Sequence, residues 1–170
     1  MTKLARRLRS LAKYFAPAMI SLFPGSSFRY LRCLFWRTVG YDIDLQANIM
    51  AGARLRYGQI AVGAKTYIGE ETLVTGGSIT IGESCDIAPR CIIHAGTHDL
   101  GSKNRRAGKV RSGTIVIGDG TWVGVGTTVL AGAHIGCSSI IAAGSVVVAG
   151  DYPKNVLLAG SPAVIKKRLT

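Results

Sequence analysis

The sequence is poor in acidic residues, in proline and in long apolar runs. Only 9 of its 170 residues are Asp or Glu, against 21 Lys or Arg, which gives a formal net charge of +12. Because 48% of the residues are hydrophobic, the chain can bury a core and is not a disordered polyelectrolyte. With 5 prolines and no Gly-X-Y triplet, it is not a collagen. The length predicts one domain with at most a small appendage.

No apolar run is long enough to cross a bilayer. The longest, residues 14–23, contains Pro17 and is about half of the roughly 20 residues that a spanning helix needs. This run is also a poor signal peptide, because the proline interrupts it and no small-residue cleavage site follows it. We therefore expect a cytoplasmic protein. No C-x-x-C pair occurs, and we expect four reduced cysteines: Cys33, Cys85, Cys91 and Cys137.

Glycine, in contrast, is abundant and recurs with a period of six. The chain has 22 glycines, well above the usual share of roughly 7%. In the second half an aliphatic residue occurs at every sixth position, with a small residue two positions before most of them and Gly or Ser three positions after each. The unbroken series is Ile117, Val123, Val129, Ile135, Ile141 and Val147. Upstream, the same step links Ile81, Ile87 and Ile93.

A period of six fits short strands joined by tight turns. On a helix this step rotates by about 600°, which spreads the aliphatic residues around the axis, and an ordinary sheet needs longer, alternating strands. Each hexad can instead form one flat segment with its aliphatic residue inside and glycine in the turn. The sequence therefore predicts an all-β protein, a parallel β-helix, over residues 41–165. An ordinary glycine-rich β protein is the alternative.

The excess cations concentrate first at the N-terminus. Residues 1–41 contain eight cations and no acid, because the first acidic residue is Asp42. Residues 1–23 have the spacing of an amphipathic helix, with Pro17 bending or ending it. A second helix is predicted from Ser26 or Ser27 to Gly40. Its apolar face is predicted to consist of Phe28, Leu31, Leu34 and Phe35.

This basic helical segment, residues 1–40, has two interpretations. A basic amphipathic segment suits an anionic membrane surface. Its apolar face can also simply cap the open end of the β-helix. Nucleic acid is not expected as a partner, since no base-reading motif accompanies the charge.

A second basic stretch interrupts the repeat at residues 97–113. The hexad positions there are Asp99, Arg105 and Arg111, which no core would accept. A long loop in a regular solenoid is usually functional, and this one predicts a positive rim around a phosphorylated or acidic ligand. A solvated basic loop without function is the alternative. Residues 166–170 form a basic C-terminal tail.

His98 lies where the repeat ends and this excursion begins. A ring there can reach solvent while rigid coils hold its base, and histidine titrates near neutrality, which suits a general base. His94 follows an inward isoleucine and is expected near the same cleft in a supporting role. His134 lies far along the solenoid and is expected on the surface.

The repeat over residues 43–165 resembles the hexapeptide-repeat acyltransferases. The stretches TIVIGDGTWVGVGTTVLAGAHIG and IIAAGSVVVAGDYPKNVLLAGSPAVIKKRL are similar to the C-terminal half of the sugar O-acetyltransferases, of the maltose, galactoside and colanic-acid type. The resemblance implies a left-handed β-helix, homotrimers whose sites are each shared by two chains, and direct acyl transfer from acetyl-CoA. It assigns the catalytic base to His98.

The resemblance also implies the surroundings of that base. Trp122 would form a wall of the site, while Glu70 or Glu71, with a loose match, would contact acceptor hydroxyls or orient the histidine. The CoA contacts map to Gly124, Val125, Ala142, Ala143 and Gly144, and the CoA phosphates to Lys166, Lys167 and Arg168. Where many relatives have Thr-Lys-Asp, this chain has Ala149 and one inserted residue; Lys154 could substitute.

The function predicted is an acetyl-CoA-dependent O-acetyltransferase for a sugar hydroxyl, in a surface polysaccharide or its lipid-linked precursor. The alternatives are an N-acetyltransferase for a nucleotide-linked amino sugar and a non-catalytic β-helix scaffold. A three-histidine zinc site of the γ-carbonic-anhydrase type is disfavoured by the spacing of His94, His98 and His134, so no metal is expected.

Overall fold

The chain winds into a parallel β-solenoid, described here by a computed structural model for residues 26–170 and, before them, residues 11, 12, 15 and 18–20. Each coil contributes one short strand to each of three sheets. Neighbouring coils pair in parallel, and the sheets meet at three rows of turns, which we call corners AB, BC and CA after the sheets they join. The all-β parallel β-helix predicted from the hexads is confirmed.

The strands of the three sheets are short and regularly spaced. Sheet A contains β1 (Asp42–Ile43), β4 (Gln59–Val62), β7 (Ser78–Ile81), β12 (Thr114–Ile117), β15 (Ala133–Ile135) and β18 (Gly150–Tyr152). Sheet B contains β2 (Asn48–Ile49), β5 (Tyr67–Ile68), β8 (Asp86–Ile87), β13 (Trp122–Val123), β16 (Ile140–Ile141), β19 (Val156–Gly160) and β20 (Ala163–Arg168), the last pair antiparallel. Sheet C contains β3 (Arg54–Arg56), β6 (Leu73–Thr75), β9 (Ile92–His94), β14 (Thr128–Leu130) and β17 (Val146–Val147).

The aliphatic residues of the hexads form the core as stacked ladders. In sheet C, Val74, Ile93, Val129 and Val147 follow one another in register and are fully buried. Small residues two positions before the inward aliphatic residues are buried too. Several of their hydroxyls bond between coils; Thr66 Oγ1, for example, donates to the Gly82 carbonyl at 2.6 Å. Every coil thus contributes both apolar burial and satisfied polar groups to the same narrow core.

An antiparallel hairpin leaves the solenoid at corner CA. It consists of β10 (Gly96–Leu100) and β11 (Ala107–Ser112), whereas the sequence predicted only a loop over these residues. In its register Thr97 lies opposite Arg111 and His98 opposite Val110. Near its tip a Cβ on Gly101 would collide with the carbonyl oxygen of Arg105, so the close approach of the two strands requires glycine.

Helix α1 (Arg29–Thr38) packs across the first coil. It follows a 3-10 turn at Ser26–Phe28, and its N-cap is Phe28 rather than the predicted Ser26 or Ser27. Of the predicted apolar face, Phe28, Leu31 and Leu34 are exposed, while Phe35 is half-buried and packs against the core. Most of the first predicted helix, residues 1–23, lies outside the described residues. Within it, Leu11 and Phe15 are described, and both are helical and exposed.

The face of α1 that packs on the solenoid is formed by Arg32, Cys33 and Trp36. Arg32 Nε donates to the Ile49 carbonyl at 2.6 Å, and Cys33 Sγ donates to the Ala47 carbonyl at 3.2 Å. The first coil has no preceding strand to satisfy its backbone, so it needs hydrogen-bond donors as well as apolar cover. Burial lowers the pKa of the Arg32 guanidinium. Among the described residues, no helix is both long and apolar enough to span a membrane.

Candidate active site

His98 projects from β10 at the base of the hairpin and is exposed. Its Nδ1 atom lies 3.0 Å from the carbonyl oxygen of Gly108, on the opposite strand. Because a carbonyl can only accept, Nδ1 must carry the hydrogen in this bond, and Nε2 keeps its lone pair. The backbone of the hairpin therefore holds the imidazole in the tautomer and orientation that a general base requires.

The partner of His98 was missed in the sequence because it is a main-chain atom. Nothing in the residue type of Gly108 marks its carbonyl as a ligand of the histidine; only the register of the hairpin reveals it. The neighbouring carboxylate of Asp99 is engaged elsewhere, since Arg111 Nε lies 2.5 Å from its Oδ1. This ion pair joins the two strands beside the position of His98.

The hairpin is strongly basic. It carries one acid, Asp99, and five cations: Lys103, Arg105, Arg106, Lys109 and Arg111. With Arg111 paired to Asp99, the other four have no ion-pair partner among the described residues. Their positive field surrounds the exposed imidazole and favours an anionic ligand nearby.

The predicted CoA residues gather at corner BC. Gly124 and Val125 form this corner in one coil, and Ala142, Ala143 and Gly144 form it in the next. A Cβ on Gly144 would meet nothing within 4 Å, so the surface there is open, whereas one on Gly124 would lie 2.5 Å from the Ala143 amide nitrogen. We call this surface of backbone and methyl groups, where the resemblance places CoA, the channel.

The predicted acceptor residues divide between this corner and the hairpin. Trp122 faces outward from β13, directly before corner BC, and is 54% exposed. Glu70 and Glu71 lie at the same corner two coils earlier, where Glu71 Oε2 is 3.0 Å from Arg90 Nε. His94 lies at the end of β9, half-buried beside Gly96, and so belongs to the hairpin end.

The predicted phosphate-binding cations lie apart from the channel. Lys166, Lys167 and Arg168 are exposed on β20, which follows the last turn of corner BC and runs antiparallel to β19. Lys154 lies at corner AB, beside Gly136, and the structure does not bring it to the channel. The end of β20 approaches that corner, since the Leu169 amide donates to the Asn155 carbonyl at 2.7 Å.

A single chain thus separates the base from the channel. His98 leaves the solenoid at corner CA, while Gly124 and Ala143 lie at corner BC, and the five strands of sheet C span the face between them. The hairpin pairs only with itself, as β10 with β11, in the described part of the chain.

Cys85 and Cys91 lie in the core, and His134 lies on sheet A. Cys85 and Cys91 occupy the small hexad position, and their thiols contact the carbonyls of Gly118 and Gly124 at 3.2 and 3.3 Å. Burial raises the pKa of both thiols, which lowers their thiolate population. His134 pairs with Asp151 on sheet A, Nδ1 to Oδ1 2.9 Å. Among the residues with described positions, no three metal-ligating side chains converge.

The fold and the site define a β-helix protein with a histidine presented on an extruded hairpin. No protein-family model and no curated protein sequence matches the chain. Several solved structures do match the fold of this chain. A hexapeptide-repeat-containing acetyltransferase from Vibrio cholerae is 27% identical, with a TM-score of 0.82 over 99% of this chain and 94% of that one. The same protein was also solved with acetyl coenzyme A, at a TM-score of 0.77, 23% identity and coverage of 99% and 91%.

Two further structures share the fold at lower identity. A maltose O-acetyltransferase from Clostridium difficile 630 has a TM-score of 0.69 and 20% identity, covering 99% of this chain and 90% of that one. An N-acyltransferase from Bacillus cereus, solved with dTDP and 3-hydroxybutyryl-CoA, has a TM-score of 0.63 and 19% identity, covering 76% and 72%. The predicted resemblance to the hexapeptide-repeat acyltransferases, with their left-handed β-helix, is confirmed, and with it the prediction of an acyltransferase.

Proposed function

We propose that the protein transfers the acetyl group of acetyl-CoA to a hydroxyl of a sugar, with His98 as the general base. The observation that carries this proposal is the bond between His98 Nδ1 and the Gly108 carbonyl. It leaves Nε2 free to accept a proton at an exposed position, on a fold shared with acetyltransferases.

The reaction is a direct transfer. His98 Nε2 takes the proton of the acceptor hydroxyl while the oxygen attacks the thioester carbonyl carbon. The carbon–sulfur bond then breaks, and the departing CoA sulfur receives the proton from the imidazolium. No covalent enzyme intermediate is required, in keeping with the buried positions of Cys85 and Cys91.

The oxyanion of the tetrahedral intermediate needs a donor at the channel. In the turn after Trp122, the amides of Gly124 and Gly126 already donate to carbonyls of neighbouring coils. The Val125 amide between them has no acceptor among the described residues. We assign it the role of oxyanion donor, since a fixed backbone N–H stabilises developing charge without reorganisation.

The site is assembled between subunits of a homotrimer. Corner CA of one chain, with His98, faces corner BC of the next, with its CoA channel, because one chain alone keeps them apart. The pantetheine lies along Gly124, Val125, Ala142, Ala143 and Gly144, with Trp122 as a wall. The exposed cations of β20 meet the CoA phosphates, while Glu70, Glu71 and His94 contact the acceptor or support the base.

A shared site can be tested by mixing two inactive variants. His98→Ala removes the base, and Ala143→Trp fills the channel at an exposed position where it does not disturb the core. Co-expressed at equal levels, the two form mixed trimers in which about one site in three combines a wild-type base with a wild-type channel. We expect each variant alone to be inactive and the purified mixed trimers to recover about a third of the wild-type rate. An absence of recovery in isolated mixed trimers contradicts the shared site.

The acceptor is proposed to be a saccharide of a surface polysaccharide or its lipid-linked precursor. The four cations of the hairpin without ion-pair partners favour an acidic or phosphorylated acceptor. Because acetyl-CoA is the donor, we place the enzyme in the cytoplasm, at the inner face of the membrane.

The alternative of amino-group acetylation is favoured by one comparison, the N-acyltransferase solved with dTDP. Hydroxyl-bearing saccharides and a nucleotide-linked 4-amino sugar should be assayed side by side, with release of CoA thiol as the readout. We expect turnover with the hydroxyl acceptors; turnover with the amino sugar alone overturns O-acetylation. A failure to bind acetyl-CoA by calorimetry would favour a non-catalytic scaffold.

A further inference from the structure

The two faces of α1 have different surroundings. Arg32, Cys33 and Trp36 are buried against the first coil and close the open end of the solenoid. On the other side of the helix Leu31 and Leu34 remain 48% and 41% exposed. Capping and contact with an outside surface therefore do not compete for the same residues of α1.

The exposed face of α1 continues onto the helical residues before it. Met19, Ile20, Leu31, Leu34 and Phe35 line an apolar groove of about 330 Å³, with Arg32 and Thr38 at its border. Leu11 and Phe15 add further exposed apolar side chains, 55% and 58% accessible. Several large apolar side chains that remain exposed together mark an interaction surface.

The charge of this segment indicates the occupant of the groove; of its described cations, Arg29 and Arg37 are exposed on α1. All eight charged residues of residues 1–41 are cations: Lys3, Arg6, Arg7, Arg9, Lys13, Arg29, Arg32 and Arg37. An apolar face framed by Lys and Arg complements the interface of an anionic bilayer, where apolar side chains enter the acyl boundary and cations remain among the headgroups. Each cation near such a surface contributes favourably to binding.

We propose that the groove face, formed by Met19, Leu31 and Leu34, binds the surface of an anionic lipid bilayer together with the exposed Leu11 and Phe15 and the cations of residues 1–41. The end of the β-helix that α1 closes then lies against the membrane. This inference concerns a surface remote from His98 and does not depend on acetyl transfer.

The experiment is flotation of the full-length protein with vesicles of phosphatidylcholine alone or with 30% phosphatidylglycerol, a composition chosen to be moderately anionic. Leu31→Ser combined with Leu34→Ser removes apolar groups from the groove face. Val164→Ser with Ile165→Ser is the matched control, because these side chains on β20 are 50% and 45% exposed. We expect binding to the anionic vesicles, a loss of about tenfold or more in the groove variant, and a change below about twofold in the control.

Electrostatic attraction gives a second, independent readout. The triple substitution Arg6→Gln, Arg7→Gln and Arg9→Gln should reduce binding to anionic vesicles. Adding 0.5 M salt should likewise weaken the binding of the wild-type protein to these vesicles. This variant keeps the proposal testable if the serine variant does not fold. No binding to anionic vesicles, or equal loss in the groove and control variants, overturns the proposal. A doubled mass in light scattering without vesicle binding would assign the face to a second copy of the chain instead.

Discussion

His98→Ala is expected to lower kcat/KM for acetyl transfer by about a hundred- to ten-thousand-fold, the usual contribution of a general base. The alanine variant loses the proposed proton acceptor, while the channel at corner BC stays intact. Binding of acetyl-CoA, measured by calorimetry, should therefore change by less than about twofold. Residual turnover within about tenfold of the wild type would show that another group is the base.

Two further substitutions separate the proton-accepting role of His98 from its place in the hairpin. His98→Asn keeps an N–H near the position of Nδ1, able to donate to the Gly108 carbonyl, but has no counterpart of Nε2. We expect it to be as inactive as the alanine variant. His134→Ala is the matched control, since that ring is also exposed but pairs with Asp151 on sheet A, and it should retain activity within about twofold.

Ile93→Ala is expected to reduce the free energy of unfolding by about 2–5 kcal/mol, the usual cost of truncating a fully buried isoleucine. Ile93 is stacked between Val74 and Val129 in the ladder of sheet C, and the narrow solenoid has few ways to collapse around the cavity. Urea unfolding at one fixed protein concentration measures the effect, since assembly makes stability concentration-dependent.

The neighbouring isoleucine supplies the control within the same strand. Ile92 is of the same residue type but points outward from β9 and is 43% exposed. Ile92→Ala should cost much less, about 1 kcal/mol or below, because most of its apolar surface already faces water. Equal losses for the two variants would contradict the alternation of inward and outward residues in the coil.

The core could be predicted from the sequence because the repeat is local. Each hexad specifies its own flat segment, and stacking identical segments needs no knowledge of distant parts of the chain. The series from Ile117 to Val147 therefore predicted buried residues correctly. Helix α1 shows the limit of this reasoning: its hydrophobic pattern left Leu31 and Leu34 to either a membrane surface or the cap, and only the structure shows that the first coil takes Arg32 and Cys33, whose donors meet its carbonyls.

The candidate site, like the core and helix α1, could be predicted from the sequence only in part. The sequence singled out His98 by its place at the end of the repeat, and the resemblance to acyltransferases supplied its role. That its Nδ1 bonds to the Gly108 carbonyl depends on the register of the hairpin, which the sequence did not predict as paired strands. The role itself, and those of the channel residues, remain predictions that the variants above test.

By itself the sequence determined the solenoid, the residues inside it and the interruption at the hairpin, because a six-residue repeat sets each coil through its own turns and its own burial. The tertiary structure alone decided which corner each functional group occupies. The number of residues between His98 and Gly124 does not reveal that sheet C separates them. That separation depends on how the chain winds around three sheets, and it is the reason that we propose a site shared between two chains.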